Sequence, residues 1–230
     1  MNKNHFCVFD FETGGGENPS KCQITQLSAV IINPRSLRAE PGGIFDSEVQ
    51  PIFDNDKAIA ADLNPVQQEA LDVTRKTKEK LMEAPPEKIV WEKFKQFIKR
   101  FNIKNSVYTA PIPVGYNIIN YDMPIINRLC LQYGPVSKDK QSIFNQLYKV
   151  DLLDYFMMMT ENSVNITSRK LVDMMDFMGM PSHMKANAHD GLHDVKCTAN
   201  IFIKLMHYQR AITLKTDYSK AFADSPLFIE

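Results

Sequence analysis

Two acids interrupt an apolar strand pattern near the start of this chain, FCVFDFETGGG, and that interruption constrains the fold more than any other feature. In an extended strand, residues two apart share a face and lie about 6.6 Å apart along the chain. Asp10 and Glu12 therefore project together, while Phe9 and Phe11 face the other way, into a core. A buried carboxylate is costly unless something positive accompanies it. Comparable acids recur far along the chain: Asp122 in VGYNIINYDMPIINR, and Asp194, with His189, in AHDGLHDVKCTA. Their apolar flanks suggest that the carboxylates point into one cleft. No lysine or arginine is adjacent to any of them, so a divalent cation is the natural partner. An oxygen-only donor set suits Mg²⁺ or Mn²⁺.

The remaining pattern sets the class. Residues 5–11, 24–33 and 44–53 read as strands, with a turn over Pro34 and the RAEPGG stretch, which predicts an antiparallel meander. The middle turns helical. Pro65 opens VQQEALDV, and Thr74 can cap a short helix through Met82. Residues 87–101 place Val90, Phe94, Phe97, Ile98 and Phe101 on one face. PIPVGY (111–116) is a short strand, and residues 123–134 form a helix ending at Gly134. VDLLDYFMMM, RKLVDMMDFMGM and HDVKCTANIFIKLMHYQ are further helical patterns. The expectation is an α/β fold with helices packed on a mixed sheet, one domain over residues 1–210 and a tail over 211–230.

Bulk properties narrow the function classes. The chain has 230 residues, 44% hydrophobic and 23% charged, enough for a full core and unlike a disordered chain. Lys+Arg and Asp+Glu each total 27, which argues against holding nucleic acid by bulk charge alone and leaves a local basic groove open. Cys7, Cys22, Cys130 and Cys197 are scattered, as reduced buried thiols would be, and form no zinc pattern. No signal-peptide pattern or membrane-length apolar run is present, so a cytoplasmic location without membrane attachment is expected.

Each motif also has a plain structural reading. Asp10 and Glu12 could be solvated acids on an edge strand, Asp122 a helix N-cap, Asp194 an acid favoured by a helix dipole and His189 a surface loop residue. Asp190 is a candidate N-cap, which would put Asp194 in the first turns of the last helix. Taken together and in order, the motifs resemble the DEDDh (DnaQ-like) 3′→5′ exonucleases of the ribonuclease H-like fold. FDFETGGG is similar to the family's first motif, GYNIINYD to its second and AHDGLHD to its third, with the H-x₄-D spacing of the histidine branch. Residues 47–74 are similar to the family's passage from a third strand into two short helices. The likeness covers roughly residues 5–209. The chain departs where the family writes E-T-T-G, having Glu12-Thr13-Gly14, and where a His often precedes Gly-Ile-Thr, having Leu71-Asp72-Val73-Thr74.

The resemblance implies a ribonuclease H-like mixed five-stranded sheet, with an antiparallel meander plus parallel strands. It implies two Mg²⁺ (or Mn²⁺) held by Asp10, Glu12, Asp122 and Asp194, with His189 as general base. The implied activity releases 5′-mononucleotides from the 3′ end of DNA, mainly single-stranded. An exoribonuclease, a proofreading subunit tied to a polymerase and a non-catalytic nucleic-acid-binding module are the alternatives. Phe11, Thr13, Gly14, Tyr116 and Asn117 are candidate substrate contacts, with Phe11 and Tyr116 as stacking groups. The helix bearing Lys88, Lys93, Lys95, Lys99 and Arg100 is a solvated face or a strand-guiding surface. The terminal DSPLFIE could dock on a polymerase or sliding clamp, or simply pack as a chain end.

Overall fold

The computed structural model describes residues 4–134, 142–164, 166, 168–185, 190–217 and 220. His189 and the DSPLFIE segment lie outside these. Among the described residues five strands form one sheet, in the order β3-β2-β1-β4-β5. β1 (Phe6–Thr13), β2 (Ile24–Ile32) and β3 (Ala39–Glu48) make the antiparallel meander. β4 (Ile112–Gly115) joins β1 in parallel, and the short β5 (Val150–Asp151) joins β4 in parallel. The mixed five-stranded sheet expected from the sequence is present.

Strand alternation assigns the two faces. Cys7, Phe9, Phe11, Leu27, Ala29 and Ile31 pack under α4 (Glu87–Arg100) and α5 (Asp122–Tyr133). Val8, Val30, Ile32 and Val114 face α6 (Leu152–Thr160), α7 (Leu171–Phe177) and α8 (Gly191–Lys215). Helix α4 has the predicted apolar stripe, and Trp91 is buried beside it. Its basic residues serve the scaffold where contacts are resolved: Lys95 binds Glu92 and the Tyr133 carbonyl, and Arg100 lies over Phe97 and Phe101. All four cysteines are free and buried. No helix among the described residues is long and apolar enough to cross a membrane.

Several boundaries differ from expectation, each for a tertiary reason. The reversal after β2 is centred on residues 33–38. There the Asn33 side chain accepts from the Arg35 and Ser36 amides, the local bond that makes Asn a turn residue. The Glu40-Pro41-Gly42-Gly43 stretch belongs to β3 as a bulge, because Ala39 pairs with Ile32 and Ile44 with Val30. β3 ends at Glu48 rather than 53, and the chain then enters α1 (Asn55–Ala60), capped by Asp54. α2 (Gln68–Thr74) starts three residues after Pro65: Gln67 is extended at the N-cap, its amide donating to the Gly14 carbonyl at 2.8 Å. Thr74 closes that helix, and Thr77 caps α3 (Lys78–Met82). The helical register of α8 continues to Lys215, past the point where periodicity fades in the sequence. Arg210 on α8 donates to the Pro34 and Arg35 carbonyls, tying that helix to the β2–β3 turn.

Candidate active site

The face of the sheet that is apolar at Val8 and Val30 becomes polar two residues further along β1. Register places Asp10 opposite Ser28 and Ser28 opposite Asp46; the next row is Glu12, Gln26 and Glu48. At this end β2 carries an extra residue, Thr25, against the Glu12–Thr13 step. Such bulges bend a strand and re-aim its side chains. The first turn of α8 closes over the rows. Gly191 sits so near Gln26 and Ser28 that an added Cβ would lie 3.1 Å from each side chain. That approach brings Asp194 over Asp10 and Glu12, close enough to raise the pKa of both. Asp194 takes this position because its amide bonds to the Asp190 carbonyl at 2.9 Å in the opening helical turn.

Asp122 arrives from the other side. Pairing between β1 and β4 stops at Val8 and Val114; Gly115, still paired with Asp151, ends β4 with Ile118 packed where its Cβ would lie. Beyond that point the Phe11 amide donates to Asp122 Oδ1 at 3.0 Å, a carboxylate standing where a strand partner has ended. Asp122 is the first residue of α5, and Tyr121 holds the cap position without a side-chain bond. The N-cap role considered for Asp122 is therefore not the one it has.

Electrostatics tie the four acids together. Burial first, then Asp194, pushes Asp10 up to about 7. Burial, Asp10 and Asp194 push Glu12 up to about 8, against the partial relief of Lys76. Asp122 is driven well above the ordinary carboxylate range by burial and by Asp10. Asp10 thus stands at the centre of the group. Among the described residues no three His, Cys, Asp or Glu side chains form a closed ligand cage as they stand. The donor chemistry still fits a hard divalent cation: the converging groups are carboxylates, desolvated and mutually repelling.

A family profile for exonucleases of the RNase T group matches residues 7–202. The chain belongs to that exonuclease family. The span agrees with the extent of the DEDDh likeness read from the three motifs, and the fold agrees with its ribonuclease H-like character. A search of curated proteins found no match. Solved structures are similar in fold. A zinc-bound E. coli exonuclease I–single-stranded DNA complex superposes with TM-score 0.65 at 17% identity, over 90% of this chain and 41% of that one. The nuclease domain of 3′hExo, a DEDDh family member bound to rAMP, gives 0.63 at 19%, over 89% and 92%. Cell-death related nuclease 4 gives 0.65 at 15%, over 90% and 65%. The chain spans about two-fifths of the length of exonuclease I.

In this exonuclease the candidate substrate contacts are unevenly placed. Thr13 ends β1 beside the acids, and its hydroxyl shares a 2.7 Å hydrogen bond with Tyr121. The Gly14 amide is committed to the Gln23 carbonyl and its carbonyl to the Gln67 amide, both at 2.8 Å. Phe11 is core, packed edge-on to Phe9. Tyr116 donates to the Arg169 carbonyl at 2.6 Å, and Asn117, at φ 59°, donates its amide to Asp151. The motif reading missed Gln26, Ser28, Asp46, Glu48 and Lys76, which complete the polar end of the sheet. A signal was present: β2 is buried along its whole length, and Gln26 and Ser28 alternate with Leu27 and Ala29 within it.

Proposed function

We propose that this exonuclease is a divalent-metal-dependent 3′→5′ enzyme that removes 5′-mononucleotides from the 3′ end of DNA, mainly single-stranded. The observation that carries the reading is the convergence of Asp10, Glu12, Asp122 and Asp194 on one desolvated spot in a chain of the exonuclease family. Those four carboxylates would hold two Mg²⁺ or Mn²⁺ ions. The ions, when bound, would supply the positive charge that offsets the scissile phosphate and activate the hydrolytic water.

The protein's own residues do the rest. Asp122 is held by the Phe11 amide, which donates to one of its oxygens. Asp194 is carried by the rigid first turn of a 25-residue helix, which sets its position relative to β1. His189, five residues before Asp194, takes the proton of the attacking water. Thr13, held by Tyr121, offers a hydroxyl to the terminal sugar.

A second reading, an exoribonuclease, is favoured by one neighbour of like fold, 3′hExo, solved with rAMP. The choice depends on contacts to the 2′-hydroxyl. End-labelled single-stranded DNA and a matched RNA, each with Mg²⁺ and with EDTA, separate the two. Mononucleotides released faster from DNA, and only with Mg²⁺, are the expected result. Faster release from RNA establishes the ribonuclease. Cleavage undiminished in EDTA overturns the metal assignment.

A further inference from the structure

Glu12 shares its row with a lysine that no catalytic motif contains. Lys76 follows α2 and is buried; its ammonium donates to Gln26 Oε1 at 2.7 Å and lies 3.9 Å from Glu48 Oε1. Gln26 is oriented in turn, its Nε2 donating to Asp46 Oδ1 at 2.8 Å, and Ser28 donates to the same oxygen at 2.7 Å. Lys80 binds Glu48 at 2.7 Å, so that carboxylate serves two lysines. The charged groups that act on Lys76 are Glu48, Glu12, Lys80 and Asp190. Together these residues line a cleft of about 810 Å³ next to the acids, with Gln26, Glu48, Lys76, Lys80 and Asp190 on its walls.

A buried ammonium is as costly as a buried carboxylate, and a lysine is placed so only where an anion rewards it. Glu48 is one such anion, already engaged by Lys80; Glu12, paired across the strands with the Gln26 that holds Lys76, is the next. We propose that Lys76 is the resident counter-charge of the acid group, steadying Glu12 in the metal-free protein and holding down the affinity of the site for divalent ions. The inference rests on the metal-binding reading above. Its sign follows from charge. A fixed positive charge beside Glu12 repels an incoming cation, and a doubly charged ion feels that repulsion twice over. The net effect of losing Lys76 is tighter metal binding and a less stable metal-free protein.

The test is calorimetric titration of the full chain with Mn²⁺ at pH 8, paired with thermal unfolding with and without Mn²⁺. Lys76→Met removes the charge and keeps the stem. Lys76→Gln removes the charge and keeps a donor toward Gln26, which covers the case in which Lys76→Met does not fold. Lys76→Arg keeps the charge. The expected result is Mn²⁺ binding roughly tenfold tighter in Lys76→Met and Lys76→Gln, with a larger rise in Tm on adding Mn²⁺, and near wild-type behaviour in Lys76→Arg. Unchanged or weaker Mn²⁺ binding in the neutral variants overturns the proposal. So does an equal fall in Tm with and without Mn²⁺, which makes Lys76 a prop for Gln26 alone. If the wild type takes up no Mn²⁺, the metal reading itself fails and this inference falls with it.

Discussion

Two sets of buried acid stand at the same end of adjoining parts of the sheet, and the backbone treats them in opposite ways. Asp151, which closes β5 and caps α6, accepts from the amides of Asn117 at 2.8 Å, Ile119 at 3.0 Å and Leu153 at 3.0 Å. Asp122 has the Phe11 amide, while Asp10 and Glu12 lie within the field of Asp194, and Glu12 within that of Asp10 too. A carboxylate wrapped in peptide donors is a structural rivet; carboxylates crowded together repel one another and rise in pKa. Both kinds are buried and acidic, so burial and residue type alone do not reveal which is which. The count of donors does.

That contrast can be broken by mutation, the largest effect first. Asp10→Ala removes the centre of the crowded set; nuclease activity should fall by at least about a thousandfold with Mg²⁺ while the metal-free Tm stays level or rises. A variant that keeps wild-type turnover ends the assignment of Asp10. His189→Ala leaves both acid sets as they are and should slow single-turnover cleavage by roughly 10²–10⁴ without changing Tm. Asp151→Ala should move stability the other way from Asp10→Ala. Three amides lose their acceptor, for a loss of roughly 2–4 kcal/mol in denaturant unfolding. Equal stability changes in the two alanine variants would erase the distinction between rivet and crowd.

A pH dependence separates the two sets as well. Asp10 and Glu12 hold protons in the folded state up to about 7 and about 8, whereas the unfolded chain releases them near the ordinary carboxylate value of about 4. Between those limits the folded protein binds more protons, so its stability declines as pH rises. The metal-free Tm should fall from pH 5 to pH 8, and Mn²⁺ should flatten the decline. A metal-free Tm that climbs over that window contradicts the raised pKa values.

The acids and the alternation around them were legible in the sequence because both follow from short-range rules. A strand puts Asp10 and Glu12 on one side whatever the rest of the chain does, and the five-strand expectation came from the ordered motifs. Longer-range features were not legible. Pro65 did not open its helix: Gln67 stays extended at the N-cap, tied by its amide to the distant Gly14. The Pro41-Gly42-Gly43 run looked like a reversal because local propensity cannot register a bulge that only β2 defines. Lys76, between a helix end and a cap, has no periodicity of its own. Arg75 before it adopts the left-handed conformation (φ 54°) without a glycine to announce it. The contact of Lys76 with Gln26 exists only once the residues after α2 meet β2.

Gly191 gives the enzyme an adjustable gauge. With Gln26 and Ser28 3.1 Å from where a methyl would go, an alanine there requires those side chains or the start of α8 to give by a few tenths of an ångström. Where the helix gives, the gap between Asp194 and its fellows widens while every charge stays in place. Spacing and charge, which change together in almost any substitution of an acid, can be tuned separately in this protein.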